Sequence, residues 1–383
     1  MIKLSEPYFF GSELKYLKKC LKTKWISSGG NEVKKFEKKM KKFTYGKYNL
    51  ATINCTAALQ LAVRLLNPKN NDEIVVPTIT FVATINAVIY NNCKPIFMDC
   101  DHNLMLDKNK FYNYVKKNTF YKKGFTFNKK TKKRILSIII VNTFGNLFDF
   151  DEQFTTFCKK RNIKIIEDSA ESLGSFFYDK KKNKGIDFSC YSFNGNKLIT
   201  SGGGGLISMN NIKDYNLATH LSSQAKKDAI QFIHDDVGFN LRMSNLHAAI
   251  GMSQILNLKK IIKKKQKIHN LYKDSINNIK GLFILSNPKY CSSNNWLNIL
   301  IIDKKKYGLS KNKIIEKFKK FNIETRSLWK PNHLQKPFLK FEKYKLDKAK
   351  NMFESCICIT SSFGLKLSEQ KKIINLLKNK FRK

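Results

Sequence analysis

Between residues 50 and 210 one rhythm recurs: a short run of β-branched and apolar residues, a stretch with helical spacing, then another short run. NLATI (49–53), DEIVVP, KPIFMD, ILSIIIVN and IKIIED are each too short and too apolar to be strands with a wet face. The segment NCTAALQLAVRLL, which follows the first of them, sets its apolar residues three and four apart, as a helix does. Strands joined through helices pair side by side in parallel, and the helices then cover both faces of the sheet. The pattern predicts an α/β fold with a mostly parallel central sheet flanked by helices. DFSCYSF and GLISM add two more strand-like runs before residue 210.

Outside this core the character changes. VKKNTFYKKGFTFNKKTKKR (115–134) is a basic, turn-rich insertion in which YKKGFTFNKK has the pattern of a small hairpin on a solvated lobe. From Met252 onward a lysine-studded helix, the strand-like WLNILIID and an amphipathic helix from Ser368 predict a smaller α+β unit. The expected division is a large domain over residues 1–251, whose N-terminal segment packs on the small one, and a C-terminal domain over 252–383. No internal repeat is visible.

The net charge is +43, from 72 Lys and Arg against 29 Asp and Glu, and it raises the question of a polyanionic partner. Only six of the cations are arginine, and the guanidinium fork is what bidentate phosphate and base recognition favours. No motif of a nucleic-acid module accompanies the charge, so no nucleic-acid partner is expected. The nine cysteines are scattered; the close pair Cys356 and Cys358 has a spacing that suits neither zinc nor a redox CxxC, so no metal is expected. Reduced, buried thiols in a cytoplasmic protein are the expectation. No run of about 18 uncharged apolar residues and no signal-peptide pattern occurs, which predicts neither secretion nor a membrane span.

SFNGNKLITSGGGG (192–205) holds one lysine, Lys197, between an aromatic run and four glycines. Lysine is so frequent here that its presence says nothing; a surface turn is one reading. Glycines that let the backbone turn tightly and approach a ligand give another, a desolvated nucleophilic amine. Spacing excludes a Walker A loop, and no GxGxxG opens a helix after a strand. Two further segments favour chemistry. IKIIEDSAES ends a buried strand in Glu167 and Asp168, and the carboxyl ends of parallel strands are where α/β sheets gather ligands. INCTAAL runs from strand to helix, and the N–H groups at a helix start form an anion site. An amine, a strand-end acid and a phosphate cradle are what pyridoxal phosphate requires.

The segments KWISSGGNEVKKFE, INCTAALQLA, DEIVVPTITFVATINAV, NTFGNLFDFD, IIEDSAESLGS, YSFNGNKLITSGGGGLI, GFNLRMSNLHAAIGMSQI and SLWKPNHLQKPF follow one another in order. Together they resemble the DegT/DnrJ/EryC1/StrS sugar-nucleotide aminotransferases, across nearly the whole chain. The resemblance implies the fold type I architecture of pyridoxal-phosphate enzymes, and it assigns roles. Lys197 would bond the cofactor aldehyde and shuttle the proton. Asp168 would pair with the ring nitrogen, and Glu171, where many relatives have Gln, would sit near the phenolic oxygen. Thr56, Ala57 and Ser192 would supply donors to the phosphate, and Phe81 would cover the ring. Asn240 would reach the cofactor of a neighbouring subunit, so the unit would be a homodimer with shared active sites. Lys24, Trp25, Arg242 and His333 would lie on the substrate side.

The implied reaction takes an amino group from glutamate and delivers it to a nucleotide-linked keto sugar. The basic insertion and the opening LSEPYFFGSELKYL resemble the legionaminic-acid-pathway type, for which the acceptor is a UDP-linked 4-keto-6-deoxy-N-acetylhexosamine, with the amine placed at C4. Dehydratases of the same family carry histidine in place of the lysine, so Lys197 favours amino transfer. A polyanion-binding protein without catalysis, resting on charge alone, and a silent cofactor-binding protein are the other readings. Two positions depart from the family pattern: Cys55 where the turn usually has glycine, and Thr360 where proline usually precedes two serines. Cys55 is expected to be accommodated if its φ is negative.

Overall fold

The computed structural model describes residues 1–179 and 184–382. The apolar runs form strands where the pattern places them: β1 (Tyr48–Thr52), β2 (Glu73–Pro77) and β3 (Lys94–Met98). The basic insertion is a hairpin of β4 (Thr119–Lys122) and β5 (Phe125–Asn128), with Phe120 stacked on Phe127 across it. Then follow β6 (Ile135–Val141), β7 (Lys164–Asp168), the short β8 (Phe176–Phe177), β9 (Phe188–Ser192) and β10 (Gly205–Met209). The large sheet has the order β1-β10-β9-β7-β6-β2-β3, closed at its far edge by Lys343–Tyr344. The pairs from β9 to β3 are parallel, while β10 runs antiparallel to both of its neighbours.

The continuous apolarity of these strands is used on both faces. On one side Leu59, Ala62 and Val63 of the Cys55–Leu65 helix pack with Ile74, Val76 and Ile139; on the other Phe111, Phe154 and Cys158 pack with Val75, Ile138 and Ile140. Burial of this kind contributes about 25 cal/mol per Å² of apolar surface, the largest favourable term in such a core. Because β10 reverses direction, β1 runs parallel to β9, and Gly205 pairs with both Thr52 and Ser192. The ends of β1, β9 and β7 therefore open on the same edge of the sheet.

A second, antiparallel sheet contains Leu282–Ile284, Asn298–Ile302, Cys356–Ile359 and Arg326–Ser327, in that order. Met252, where the composition changes, lies inside the Asn245–Leu256 helix; the break in the chain direction comes at Asn257, which also caps the Leu258–Ile276 helix. The N-terminal residues run against the smaller sheet's unit: Ile2 bridges to Ile323, and the Ser361 N–H donates to the Leu4 carbonyl at 2.8 Å. All nine cysteines are buried thiols. No described helix is long and apolar enough to cross a membrane.

Candidate active site

Asn54 ends the first strand's run-out and caps the following helix, its Oδ1 accepting the Ala57 N–H at 2.8 Å. The cap occupies the Ala57 donor, while the N–H groups of Cys55 and Thr56, in the same first turn, have no carbonyl inside the helix to reach. Cys55 has ordinary helical backbone and is not among the residues with positive φ, so its side chain is accommodated in the turn. The four glycines serve a purpose other than touching a ligand. A Cβ on Gly205 would lie 2.4 Å from the Asn54 backbone, and Gly204 sits at φ +109°. They let β10 pass directly behind the 54–55 turn and fix it there; none of Gly202–Gly205 lines the cavity described below.

Alternation along β7 sends Glu167 and Asp168 to opposite faces. Glu167 accepts from Asn142 Nδ2 at 2.7 Å on the far side. Asp168 faces the cavity, where its Oδ2 accepts from the Thr84 hydroxyl at 2.7 Å and its Oδ1 from the Ala170 N–H at 3.1 Å. Burial raises the Asp168 carboxyl above its usual range, against the pull of Thr84 and Lys197. A carboxylate so desolvated binds best to a cation brought to it.

Lys197 hangs from a turn closed by its own N–H to the Asn194 carbonyl at 3.0 Å. Its Nζ stands 3.4 Å from Glu171 Oε1 and 4.2 Å from the centre of the Trp296 ring. The indole is held in turn by its Nε1–H, which donates to the Asn196 carbonyl at 2.8 Å. Glu171 Oε2 accepts the Phe144 N–H at 2.8 Å, and Phe144 is a non-glycine residue at φ 57°. Such left-handed backbone costs about 1–3 kcal/mol and persists where the surroundings enforce it. Here the Glu171 bond and stacking on Trp329, with centroids 4.7 Å apart, do so. Burial pushes Glu171 up to about 7, with the Lys197 charge and the Phe144 N–H pulling the other way. A surface-turn lysine is thereby ruled out: Lys197 is 13% exposed and faces an acid that titrates near neutrality.

These groups share one cavity of about 530 Å³, lined by Thr56, Phe81, Asp168, Glu171, Ser192 and Lys197 among others, a size suited to a small cofactor with part of its substrate. The remaining residues singled out in the sequence lie elsewhere in the protomer. Ala57 is behind the turn, its N–H used by the cap. Asn240 is exposed beside the Lys226–Asp228 and Ile233–His234 hairpin, and Lys24 and Trp25 are exposed on the N-terminal side. Arg242 Nη2 pairs with Glu37 at 3.1 Å. His333 is buried, its Nδ1 2.7 Å from the Thr78 hydroxyl, tying the 330s loop to the end of β2 rather than facing the cavity.

The profile of the DegT/DnrJ/EryC1/StrS aminotransferase family matches residues 10–378. The chain belongs to that family. The GDP-perosamine synthase of Vibrio cholerae is 30% identical over 384 residues, spanning 100% of this chain and 99% of its own. The UDP-4-amino-4,6-dideoxy-N-acetyl-β-L-altrosamine transaminase of Campylobacter jejuni (strain 81-176) is 29% identical over 274 residues, 71% of this chain and 69% of its own. Among solved structures, Helicobacter pylori PseC, an aminotransferase involved in the biosynthesis of pseudoaminic acid, shares the fold with a TM-score of 0.88 at 22% identity, covering 99% of each chain. As a member of the DegT/DnrJ/EryC1/StrS family the protein is a transaminase dependent on pyridoxal phosphate. Its own residues fit that cofactor: a buried acid, an amine across the same cavity, and a helix start with two N–H groups directed out of the helix.

Sequence reasoning missed Thr84, Phe144, Trp296, Trp329 and Arg326, all of which touch the cavity or hold its acids. Thr84 and Phe144 stand inside segments already quoted for the resemblance, ITFVATINAV and NTFGNLFDFD. Trp329 likewise stands inside SLWKPNHLQKPF, whereas nothing local marks Trp296 and Arg326, which arrive from the smaller sheet and its approaches.

Proposed function

We propose that the protein transfers an amino group from glutamate to C4 of a nucleotide-linked keto-deoxy sugar such as UDP-4-keto-6-deoxy-N-acetylhexosamine, for surface polysaccharide or glycoconjugate synthesis in the cytoplasm. The observation that carries this reading is the placing of Lys197, Glu171 and Asp168 around one cavity at the carboxyl ends of the sheet. Pyridoxal phosphate, when bound, draws electrons from the carbon bearing the amino group, so that a proton there can be removed. Asp168 would hold the ring nitrogen, Thr56 and Ser192 the phosphate, Phe81 the ring face and Glu171 the phenolic oxygen, while Ala57, whose N–H is taken by the Asn54 cap, would only shape the turn. Lys197 moves the proton at its Nζ, taking it from one carbon and returning it to another, and so serves as base and then as acid within each half-reaction. Glu171, with Oε1 3.4 Å away, stabilises the charged amine and gives way as it deprotonates. Trp296 and Phe144 keep water from that side of the amine.

The active unit is a homodimer in this reading. Around Asn240 the chain exposes Ile230 (90%), Phe232 (70%) and Val237 (79%), an apolar patch of the kind that marks a protein interface. Asn240 of a second copy would complete the phosphate site, and Lys24, Trp25 and Arg242 would serve the sugar nucleotide from the periphery, with His333 acting only by holding the 330s loop to Thr78. Relatives differ in the nucleotide that their names carry. A GDP-linked keto sugar is the second reading, favoured by the full-length match to a GDP-perosamine synthase. The test is a panel of UDP-, GDP- and dTDP-linked keto sugars given to the enzyme with glutamate, with 2-oxoglutarate release followed. Turnover of a UDP-linked 4-keto sugar above the rest is expected; preference for the GDP-linked one would support the second reading, and turnover of none would refute both.

A further inference from the structure

The floor of the cavity is acidic, with Asp168 and Glu171 on its wall, yet both substrates of the proposed reaction are anions. Glutamate carries carboxylates and a sugar nucleotide carries a diphosphate. The cavity lining has two cations, Lys197 on the floor and Arg326 at the edge contributed by the smaller sheet. Arg326 is one of six arginines in a chain whose other cations are nearly all lysine. Its side chain is 59% exposed, and its Nη2 donates to Glu324 Oε1 at 3.1 Å. Five N–H donors in a planar fork leave ample capacity for a bidentate oxyanion.

The neighbouring residue adds a second donor. Ser327 also lines the cavity, and its Oγ accepts from Lys311 Nζ at 3.0 Å. Lys311 is buried, and its Nζ also donates to the Phe353 carbonyl. An ammonium can only donate, so the Ser327 hydroxyl proton is directed away from it. The backbone beneath is fixed: Arg326 pairs with Cys358 and Ser327 with Ile357 in the smaller sheet, and Cys358 itself reaches the cavity. Lys311 adds positive charge behind the hydroxyl from a place that bulk water screens poorly.

We propose that Arg326 and Ser327 form an oxyanion subsite that receives the anionic group of a substrate, a carboxylate of the amino donor or a phosphate oxygen of the nucleotide sugar. This rests on the reading of the protein as a sugar-nucleotide aminotransferase. The subsite lies on the smaller sheet and lines the same cavity as the acid floor, and so orients a substrate whose reacting carbon must face Lys197.

The two half-reactions separate the sources. In the holoenzyme, loss of the bound cofactor's aldehyde absorbance on adding glutamate reports the donor half, and its return on adding keto sugar reports the acceptor half. Arg326→Gln is expected to lower the apparent second-order rate of one half-reaction by about 10- to 100-fold, the scale of a charged hydrogen bond. Arg326→Lys should recover part of that, since it keeps charge but loses the fork. Ser327→Ala should lower the same half-reaction by about 3- to 10-fold. Loss in the donor half alone identifies the carboxylate, loss in the acceptor half alone the diphosphate, and equal losses with an unchanged Tm one subsite serving both in turn. Unchanged rates in both halves, or equal losses with a lowered Tm, would overturn the proposal. If the parent enzyme aminates no nucleotide sugar, the function is wrong; calorimetric binding of 2-oxoglutarate and of UDP to parent and Arg326→Gln still tests the subsite, which fails if all affinities match.

Discussion

The acid-lined floor and the outer rim of this protein are built on opposite principles. On the floor, Asp168, Glu171 and Lys197 are nearly buried, and each is tied to a named partner from the large sheet or its connections. On the rim, Asn240, Lys24 and Trp25 are exposed and the hairpin beside Asn240 shows water its apolar side chains. Buried charges without partners cost several kcal/mol, so a protomer must complete its floor to fold. Exposed rim residues carry no such debt and can await a second copy. The floor is thus finished within one chain, whereas the rim, in the proposed homodimer, would be finished by assembly.

The largest effect should come from the floor. Lys197→Ala removes the only lysine on the cavity wall among the described residues and is expected to slow turnover by at least about 10²–10⁴-fold, measured as 2-oxoglutarate release. Folding should survive, because the alanine leaves Glu171 free to take a proton. Near-parental rates would break the comparison at its strongest point.

The rim should respond through concentration. Phe232→Asp places a charge in the exposed apolar patch, which a folded monomer tolerates and an interface does not. A shift toward monomer in analytical ultracentrifugation, with about tenfold or greater loss of activity at the dilution where the parent stays dimeric, is the expected outcome. A monomeric parent with full activity would show that the rim is complete without a partner.

The contrast also explains what was legible in the sequence. The floor sits on consecutive segments of the large sheet, so its strands are legible from apolar runs, Asp168 from a strand end, Thr56 from a helix start and Lys197 from its glycine-flanked setting, while Ser192 is legible only through the family resemblance. Even there the glycine run misled: its function is to let β10 press on Asn54, a contact between distant segments that no local pattern encodes. Thr84 was hidden because a threonine inside an apolar helix usually signifies nothing, and only the fold brings its hydroxyl to Asp168. Arg326, Trp296 and Trp329 come from the second unit, where two sheets must meet before the residues acquire a common cavity. His333, singled out for the substrate, spends its Nδ1 on Thr78. The location of the 252–383 boundary fell inside a helix because composition changes along the solvent face sooner than the backbone changes direction.

Glu171 offers a finer test of the floor, through pH. Burial lifts its carboxyl from 4.5 to about 7, so the folded state binds that proton more tightly than the unfolded chain. The stability this contributes is fully present below about pH 4.5 and is lost as pH rises through 7. In cofactor-free protein, Glu171→Gln should remove that dependence: parent and variant Tm should fall more steeply apart between pH 5 and 8, the parent losing up to about 3 kcal/mol relative to the variant. Parallel Tm curves across that range would show that Lys197 neutralises the acid more completely than burial opposes it.

The smallest effect is expected at Cys55, the departure from glycine in the cofactor turn. Its thiol is buried, and burial with Asp168 nearby raises it well above the usual range, so it stays protonated and poorly nucleophilic. Its backbone is that of an ordinary first helical residue and asks for no glycine. Cys55→Ala should therefore change cofactor affinity by no more than about twofold and stability by roughly 1 kcal/mol, the cost of removing one small buried group. Cys55→Gly should lose slightly more, since glycine at a helix start gives up backbone entropy that alanine keeps. Cofactor titration followed by absorbance, alongside iodoacetamide labelling of the folded protein, measures both points. If the alanine variant bound the cofactor tenfold more tightly, the sulfur would be an obstruction that the turn endures, and the floor would be less finished than its hydrogen bonds indicate.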